Sequence, residues 1–187
     1  MRILADEQQV GTLIERLERE LAAEMSRTPG PWAIVGMRSR GDVLATRLAE
    51  PLKPAYIGSL DITLYRDDLS EVGPQPIVRT TEIDFPIDGT NVLLVDDVLM
   101  SGRSVRAAIQ SLIDFGRPRC VRLAVLVDRG GRELPIRPDF VGLRVNTEAD
   151  HHVKVHLKPT DADDQILLYP PDASSDPASP APQEDHA

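Results

Sequence analysis

Residues 92–107 read VLLVDDVLMSGRSVRA, and the order of their parts decides the fold. Asn91 to Val95 form an apolar, β-favouring run, Asp96 to Arg103 a polar turn, and SVRAAIQSLIDFG (104–116) a helical stretch with Ser104 as its expected N-cap and Gly116 as its stop. A helix N-terminus carries unpaired N–H groups and a partial positive charge; Ser101, Gly102 and Ser104 add hydroxyls and a close backbone approach. Asp96 through Ser104, including Val98, Leu99, Met100 and Arg103, therefore read as a phosphate cradle. Asp96 and Asp97 leave the carboxyl end of the strand, where open α/β sheets bind ligands. They can accept hydrogen bonds from sugar hydroxyls or support Mg2+. The plainer alternative is a generic strand-to-helix turn with solvated acids, but strand, acids, small-residue loop and helix occur together.

The same alternation extends outward. Residues 6–26 place Val10, Leu13, Ile14, Leu17, Leu21 and Met25 at helical spacing, an amphipathic first helix ended by Thr28, Pro29, Gly30 and Pro31. WAIVGM (32–37) is a short buried strand that enters MRSRG and a helix, GDVLATRLAE, stopped by Pro51. A further strand is predicted around AYIGSLDITLY (55–65), followed by a mobile excursion, RDDLSEVGPQPIV. CVRLAVLVD (120–128) and FVGLRVN (140–146) are strands joined by the polar turn DRGGRELPIRPD. Repeated strand-helix alternation implies an α/β domain, a parallel sheet wrapped by helices, over residues 1–170. The Pro, Ala, Ser and Asp content of 171–187 cannot bury a core and predicts a disordered acidic tail.

Composition narrows the function classes. Of the net charge of −9, the tail supplies four acids and no Lys or Arg, which leaves −5 for the body. That balance argues against nucleic-acid binding over the whole surface and confines any RNA site to a local patch. Arg117, Arg119, Arg122, Arg132, Arg137, Arg144, Lys154 and Lys158 are the candidate cations, against an acidic first helix. No basic start with an apolar run and no membrane-length apolar stretch occurs, so a cytoplasmic location without membrane association is expected. Cys120, the single cysteine, reads as a buried small hydrophobe. His151, His152 and His156 read as strand-end residues in preference to a zinc cluster.

The 92–107 stretch resembles the phosphoribosyl pyrophosphate motif of type I phosphoribosyltransferases, in which an apolar strand and two acids precede a T-G-x-T-like loop. Ser101 and Ser104 stand for the threonines and keep their hydroxyls. Met100 occupies a place where Tyr or another residue is common. DITLYRDDL (61–69) and LAVLVDRGGRELPIRPDFVG (123–142) resemble characteristic stretches of one subgroup, the PyrR pyrimidine regulators, and the likeness runs from about Ile3 to Tyr169. The resemblance implies a type I fold with a small hood and a transferase joining uracil to the ribose of 5-phosphoribosyl pyrophosphate with Mg2+, giving UMP. It implies pyrophosphate binding by the loop Gly36, Met37, Arg38, Ser39, Arg40 and Gly41, whose glycines permit unusual dihedrals. It further implies a lid bearing Tyr65, Arg66 and Asp67, with Arg66 neutralising the departing pyrophosphate, and a base-side turn of Val127, Asp128, Arg129 and Gly130. Asp96, Asp97 and Asp128 are the candidate metal-side acids, mainly through ligand and water. A proton acceptor at Asp97 or Asp128 stays open, as does a purely structural turn capped by Asp128. Relatives of this subgroup form dimers or larger homo-oligomers, respond to UMP and UTP, and bind pyrimidine-operon mRNA. A regulator or nucleotide sensor with little catalysis, and a purine phosphoribosyltransferase, are the competing readings.

Overall fold

The computed structural model describes residues 1–38, 40–62, 81–148 and 150–171. In chain order the elements are β1 (Arg2–Ala5), α1 (Glu7–Arg27), β2 (Trp32–Met37), α2 (Gly41–Leu52), β3 (Tyr56–Leu60), β4 (Asn91–Leu99), α3 (Arg103–Asp114), β5 (Cys120–Asp128), β6 (Phe140–Arg144), β7 (His152–His156) and β8 (Gln165–Tyr169). Five strands form a parallel sheet in the order β3-β2-β4-β5-β6. Period-two alternation divides each central strand between two cores. Ile34, Leu93, Val95, Ala124 and Leu126 face α1 and α2, whereas Ala33, Val35, Val92, Leu94, Leu123 and Val125 face Val105, Ala108 and Leu112 of α3. Layers on both faces explain why these strands are apolar along nearly their whole length.

A second, antiparallel sheet of order β1-β8-β7 joins the two ends of the described chain and forms the hood. Val155, Leu157 and Ile166 carry the α1-side core into it. The turn between β7 and β8 is tied to α2 by two forked ion pairs. Arg40 donates to Asp161 at 3.0 and 2.8 Å, and Arg47 to Asp164 at 2.5 and 2.8 Å. Planar guanidinium on carboxylate fixes orientation as well as distance.

Several sequence expectations change here. The strand does not stop at Val95: β4 continues through both acids to Leu99, because Asp96, Val98 and Leu99 still pair with Val125, Val127 and Asp128 of β5. The N-cap of α3 is Gly102 and not Ser104; its φ of 90° is a left-handed turn that an L side chain would strain. Pro51 does not stop α2 but sits in its last turn, where its missing N–H removes one terminal bond; Lys53, at φ 47°, ends the helix. The apolar stripe of α1 turns inward, with Val10, Ile14, Leu17 and Leu21 buried in the chain's own core. Cys120 is half-buried, with Sγ 3.3 Å from Asn91 Oδ1. Residues 63–65 of the predicted third strand, the 66–78 excursion and the tail from 172 lie outside the described residues.

Candidate active site

Three turns leave the carboxyl ends of three adjacent parallel strands, and strand register brings them together. Gly36 of β2 pairs with Val95 of β4, while Val98 and Leu99 of β4 pair with Val127 and Asp128 of β5. The 37–41 loop, the 96–104 loop and the 128–132 turn therefore share one rim of the sheet.

The first loop is packed directly onto β4. A Cβ at Gly36 would stand 2.4 Å from Asp42 Cα, and one at Gly41 would stand 2.6 Å from the Val95 carbonyl oxygen and 3.1 Å from Asp96 Cα. Neither glycine has a positive φ, so both are explained by close approach and not by the unusual dihedrals expected from sequence. The Met37 side chain is buried in the α3-side core, which leaves only its backbone for a ligand. Arg38 Nη2 lies 2.8 Å from Ser59 Oγ and 3.1 Å from Glu82, and its Nε is buried with no hydrogen-bond partner among the described residues. Arg40 caps α2 and is gripped by Asp161, so its charge is already largely answered. Ser39, Tyr65, Arg66 and Asp67 lie outside the described residues.

Asp96 and Asp97 sit at the centre of the rim. Asp96 is buried, and the Asp97 N–H donates to Asp96 Oδ1 at 2.9 Å. Burial pushes the Asp96 carboxyl well above the usual Asp range, and the Asp97 charge pushes it further. Burial also raises Asp97, offset by its hydrogen bonds to Asp96 and Val98 and by the nearby Arg40 guanidinium. Charged carboxylates in this position are under-compensated by the protein alone. Sugar hydroxyls, or a hard oxygen-preferring cation such as Mg2+, suit that donor set.

The loop beyond them divides into core and rim. Leu99 is buried and Val98 half-buried in the hydrophobic layers, whereas Met100 is 40% exposed. Ser101 Oγ accepts from Arg103 N at 3.3 Å, and its carbonyl accepts from Glu133 and Leu134, both at 3.0 Å. The Gly102 carbonyl accepts from Arg106 N at 2.9 Å; by helix geometry the N–H groups of Ser104 and Val105 lack an intrahelical acceptor. The Arg103 side chain turns outward to Glu133 at 2.7 Å. This part of the cradle thus offers backbone N–H groups and hydroxyls.

On the neighbouring strand, Val127 is fully buried and can meet a ligand only through its backbone. Asp128 Oδ1 accepts from Gly130 N at 3.1 Å and from Arg132 Nη2 at 2.6 Å, which matches the structural turn kept as an alternative. Arg129 points inward: it is buried, and its guanidinium meets Met100 Sδ, Thr147 Oγ1 and the Glu148 carbonyl. Arg132, which the sequence presents only as a surface cation, is in fact part of this rim. Its spacing of four from Asp128 is the available signal.

Other candidate cations are also engaged: Arg122 with Glu24, Lys158 with Glu7, and Lys154 over the Tyr169 ring. Among the described residues, the donor group that includes a histidine is Glu148, Asp150 and His151, not the three histidines. No helix among those residues is long and apolar enough to cross a membrane.

A parallel sheet with an acid pair and a glycine-capped helix at its carboxyl rim, closed by an antiparallel hood, is a type I phosphoribosyltransferase. The phosphoribosyl transferase domain family matches residues 5–160. Two solved hypoxanthine phosphoribosyltransferases share the fold. That of Trypanosoma cruzi has a TM-score of 0.70 at 20% identity over 92% of this chain and 97% of its own. That of Staphylococcus aureus has a TM-score of 0.70 at 16% identity over 94% of each.

Closer relatives carry the name bifunctional protein PyrR. The Syntrophobacter fumaroxidans protein is 44% identical over 89% of this chain and 92% of its own length. The Deinococcus radiodurans protein is 53% identical over 75% and 79%, and the Thermus thermophilus protein 49% over 82% and 87%. The chain belongs to the PyrR family of phosphoribosyltransferases.

Proposed function

We propose that this protein is a cytoplasmic uracil phosphoribosyltransferase that converts uracil and 5-phosphoribosyl pyrophosphate into UMP and pyrophosphate. The observation that carries this reading is the shared rim. An acid pair, Asp96 buried and Asp97 half-buried, and a glycine-capped helix lie one strand from the Asp128 turn, so ribose phosphate and base can be held side by side. Asp96 and Asp97 take the ribose hydroxyls. Backbone and hydroxyl groups of Met100–Ser104 take the 5-phosphate, and the backbone of 37–41 takes pyrophosphate. The backbone of Val127–Gly130 reads the uracil edge. Arg66 in this reading neutralises the leaving group.

The ribose C1′–oxygen bond to pyrophosphate breaks as a bond from C1′ to the uracil nitrogen forms, and that nitrogen loses its proton. No covalent nucleophile is needed; alignment, charge stabilisation and water exclusion supply the acceleration. Mg2+, when bound with the diphosphate, supplies neutralising charge, and Asp96, Asp97 and, through water, Asp128 are the residues suited to its side of the site. The catalytic unit is residues 1–170, with 171–187 outside it. It acts as a homo-oligomer through a surface other than the buried face of α1.

The word bifunctional in the relatives' name supports a second activity, binding of pyrimidine-operon mRNA under control of UMP or UTP. Its surface excludes Arg132 and draws on exposed cations such as Arg117, Arg119, Arg137 and Arg144. Incubation with phosphoribosyl pyrophosphate, Mg2+ and labelled uracil tests the enzyme. UMP should form, and an Asp96→Asn/Asp97→Asn variant should lose nearly all of it. No UMP from the parent protein would leave the regulator reading alone.

A further inference from the structure

Arg132 bridges the two neighbouring turns of the rim, at 99–100 and at 128–130. Its Nη2 lies 2.6 Å from Asp128 Oδ1, its Nη1 2.7 Å from the Met100 carbonyl oxygen, and its Nε 2.9 Å from the Ile136 carbonyl oxygen. Longer contacts of Nη1 reach the carbonyls of Leu99 at 3.4 Å and Gly130 at 3.5 Å. One planar fork thus binds the phosphate-side loop at 99–100 and the base-side turn at 128–130 simultaneously. The route to this geometry is local. Gly130 and Gly131 both adopt left-handed backbone, at φ 74° and 75°, so the chain doubles back and returns the Arg132 side chain beneath the turn it has just left. A second brace runs beside it: Arg129 N donates to the Leu99 carbonyl at 3.0 Å while its buried guanidinium holds the Met100 thioether.

We infer that Arg132 is a positioning residue that sets the separation between the nucleobase subsite and the ribose-phosphate subsite. Parallel-strand pairing of β4 with β5 ends at Leu99 and Asp128, so beyond that point the strands no longer hold the two turns in register. The guanidinium takes over where the ladder stops. A lysine cannot reproduce this: its ammonium can answer Asp128 but cannot present divergent N–H groups to Met100 and Ile136 at once. Arg132 acts through Asp128 and the loop carbonyls and does not itself touch the reacting atoms.

This inference rests on the uracil-transferase reading, and one pair of ligands separates the two. UMP spans both subsites, whereas ribose 5-phosphate occupies only the phosphate side. Binding of each to the full-length chain, to Arg132→Lys and to Arg132→Ala is measured by calorimetry, with folding checked by circular dichroism. A positioning role weakens UMP by about tenfold or more and leaves ribose 5-phosphate within about twofold, in the lysine variant as well as the alanine one. If the variants weaken both ligands equally, or neither, Arg132 is no more than structural and the inference fails while the functional reading stands. If the unsubstituted protein binds UMP no better than ribose 5-phosphate, the base subsite itself is wrong and the functional reading fails with it.

Discussion

Replacing Gly41 by alanine tests whether close packing of the first loop on β4 builds the site. The new Cβ would stand 2.6 Å from the Val95 carbonyl oxygen and 3.1 Å from Asp96 Cα, and both are backbone atoms that cannot swing aside. Ordinary contact begins at 3.4 Å, so the first turn of α2 must retreat by about 0.8 Å from the strand that carries the acids. Overpacking of this kind costs about 1–3 kcal/mol, and alanine's helix preference returns at most about 1 kcal/mol. The net loss, up to about 3 kcal/mol, corresponds to a Tm lower by as much as roughly 6–12 °C for a chain of this size. The kinetic effect should be larger than the thermal one. A shift approaching 1 Å in the loop proposed to hold pyrophosphate should reduce kcat/KM for phosphoribosyl pyrophosphate by tens-fold, up to about a hundredfold. Gly11→Ala is the matched control, because nothing lies within 4 Å of its Cβ. It should raise Tm slightly and leave the kinetics alone. A Gly41→Ala protein with parental Tm and parental kinetics would refute the packing argument.

Three further outcomes are expected. Asp96→Asn should abolish most activity, by on the order of a hundredfold, yet raise thermal stability at neutral pH. The folded-state pKa of Asp96 lies above the unfolded one, so its stability contribution is full in acid and lost as pH rises through the folded value; the variant's advantage in stability should grow across that window, by about 1.4 kcal/mol for each pH unit crossed. Asp161→Asn should act in the opposite sense. Arg40 holds the Asp161 carboxyl below its usual range, so its contribution is present above the ordinary Asp pKa and lost as pH falls. The variant should be less stable by about 1–3 kcal/mol at neutral pH and equal to the parent in acid, as thermal unfolding at a series of pH values would show. Gly102→Ala should weaken ribose 5-phosphate binding and cost about 1–2 kcal/mol, because φ 90° strains any L side chain there; titration calorimetry and thermal unfolding check the two effects.

What is legible in the sequence is what local pattern controls. WAIVGM and CVRLAVLVD are recognisable as strands because both faces of a parallel sheet are covered and the apolar run is continuous. The first helix is legible from its one apolar stripe. β1, β7 and β8 escape a reading of the sequence, since each has only four or five residues; β1 is held by pairing with β8 from the far end of the described chain, and β7 by pairing with β8 alone. The acids suggest a turn because charge looks like a strand end; pairing with β5 keeps them in the strand. Arg40 shows only its charge in the sequence, and Arg132 only its charge and its spacing of four from Asp128. Their partners, Asp161 at a distance of 121 residues and the carbonyls of another loop, are set by tertiary structure that no window of sequence contains. Gly36 and Gly41 show the same limit: the sequence marks a glycine's freedom, and only the fold shows that its use here is closeness.

The choice of base is the most direct test of what this rim does. Purified protein, phosphoribosyl pyrophosphate and Mg2+ are supplied with uracil, hypoxanthine and guanine together, and the nucleotides formed are separated and counted. UMP as the dominant product is the expected result. IMP or GMP in its place would show that the Asp128 turn reads a purine and would overturn the assignment to uracil.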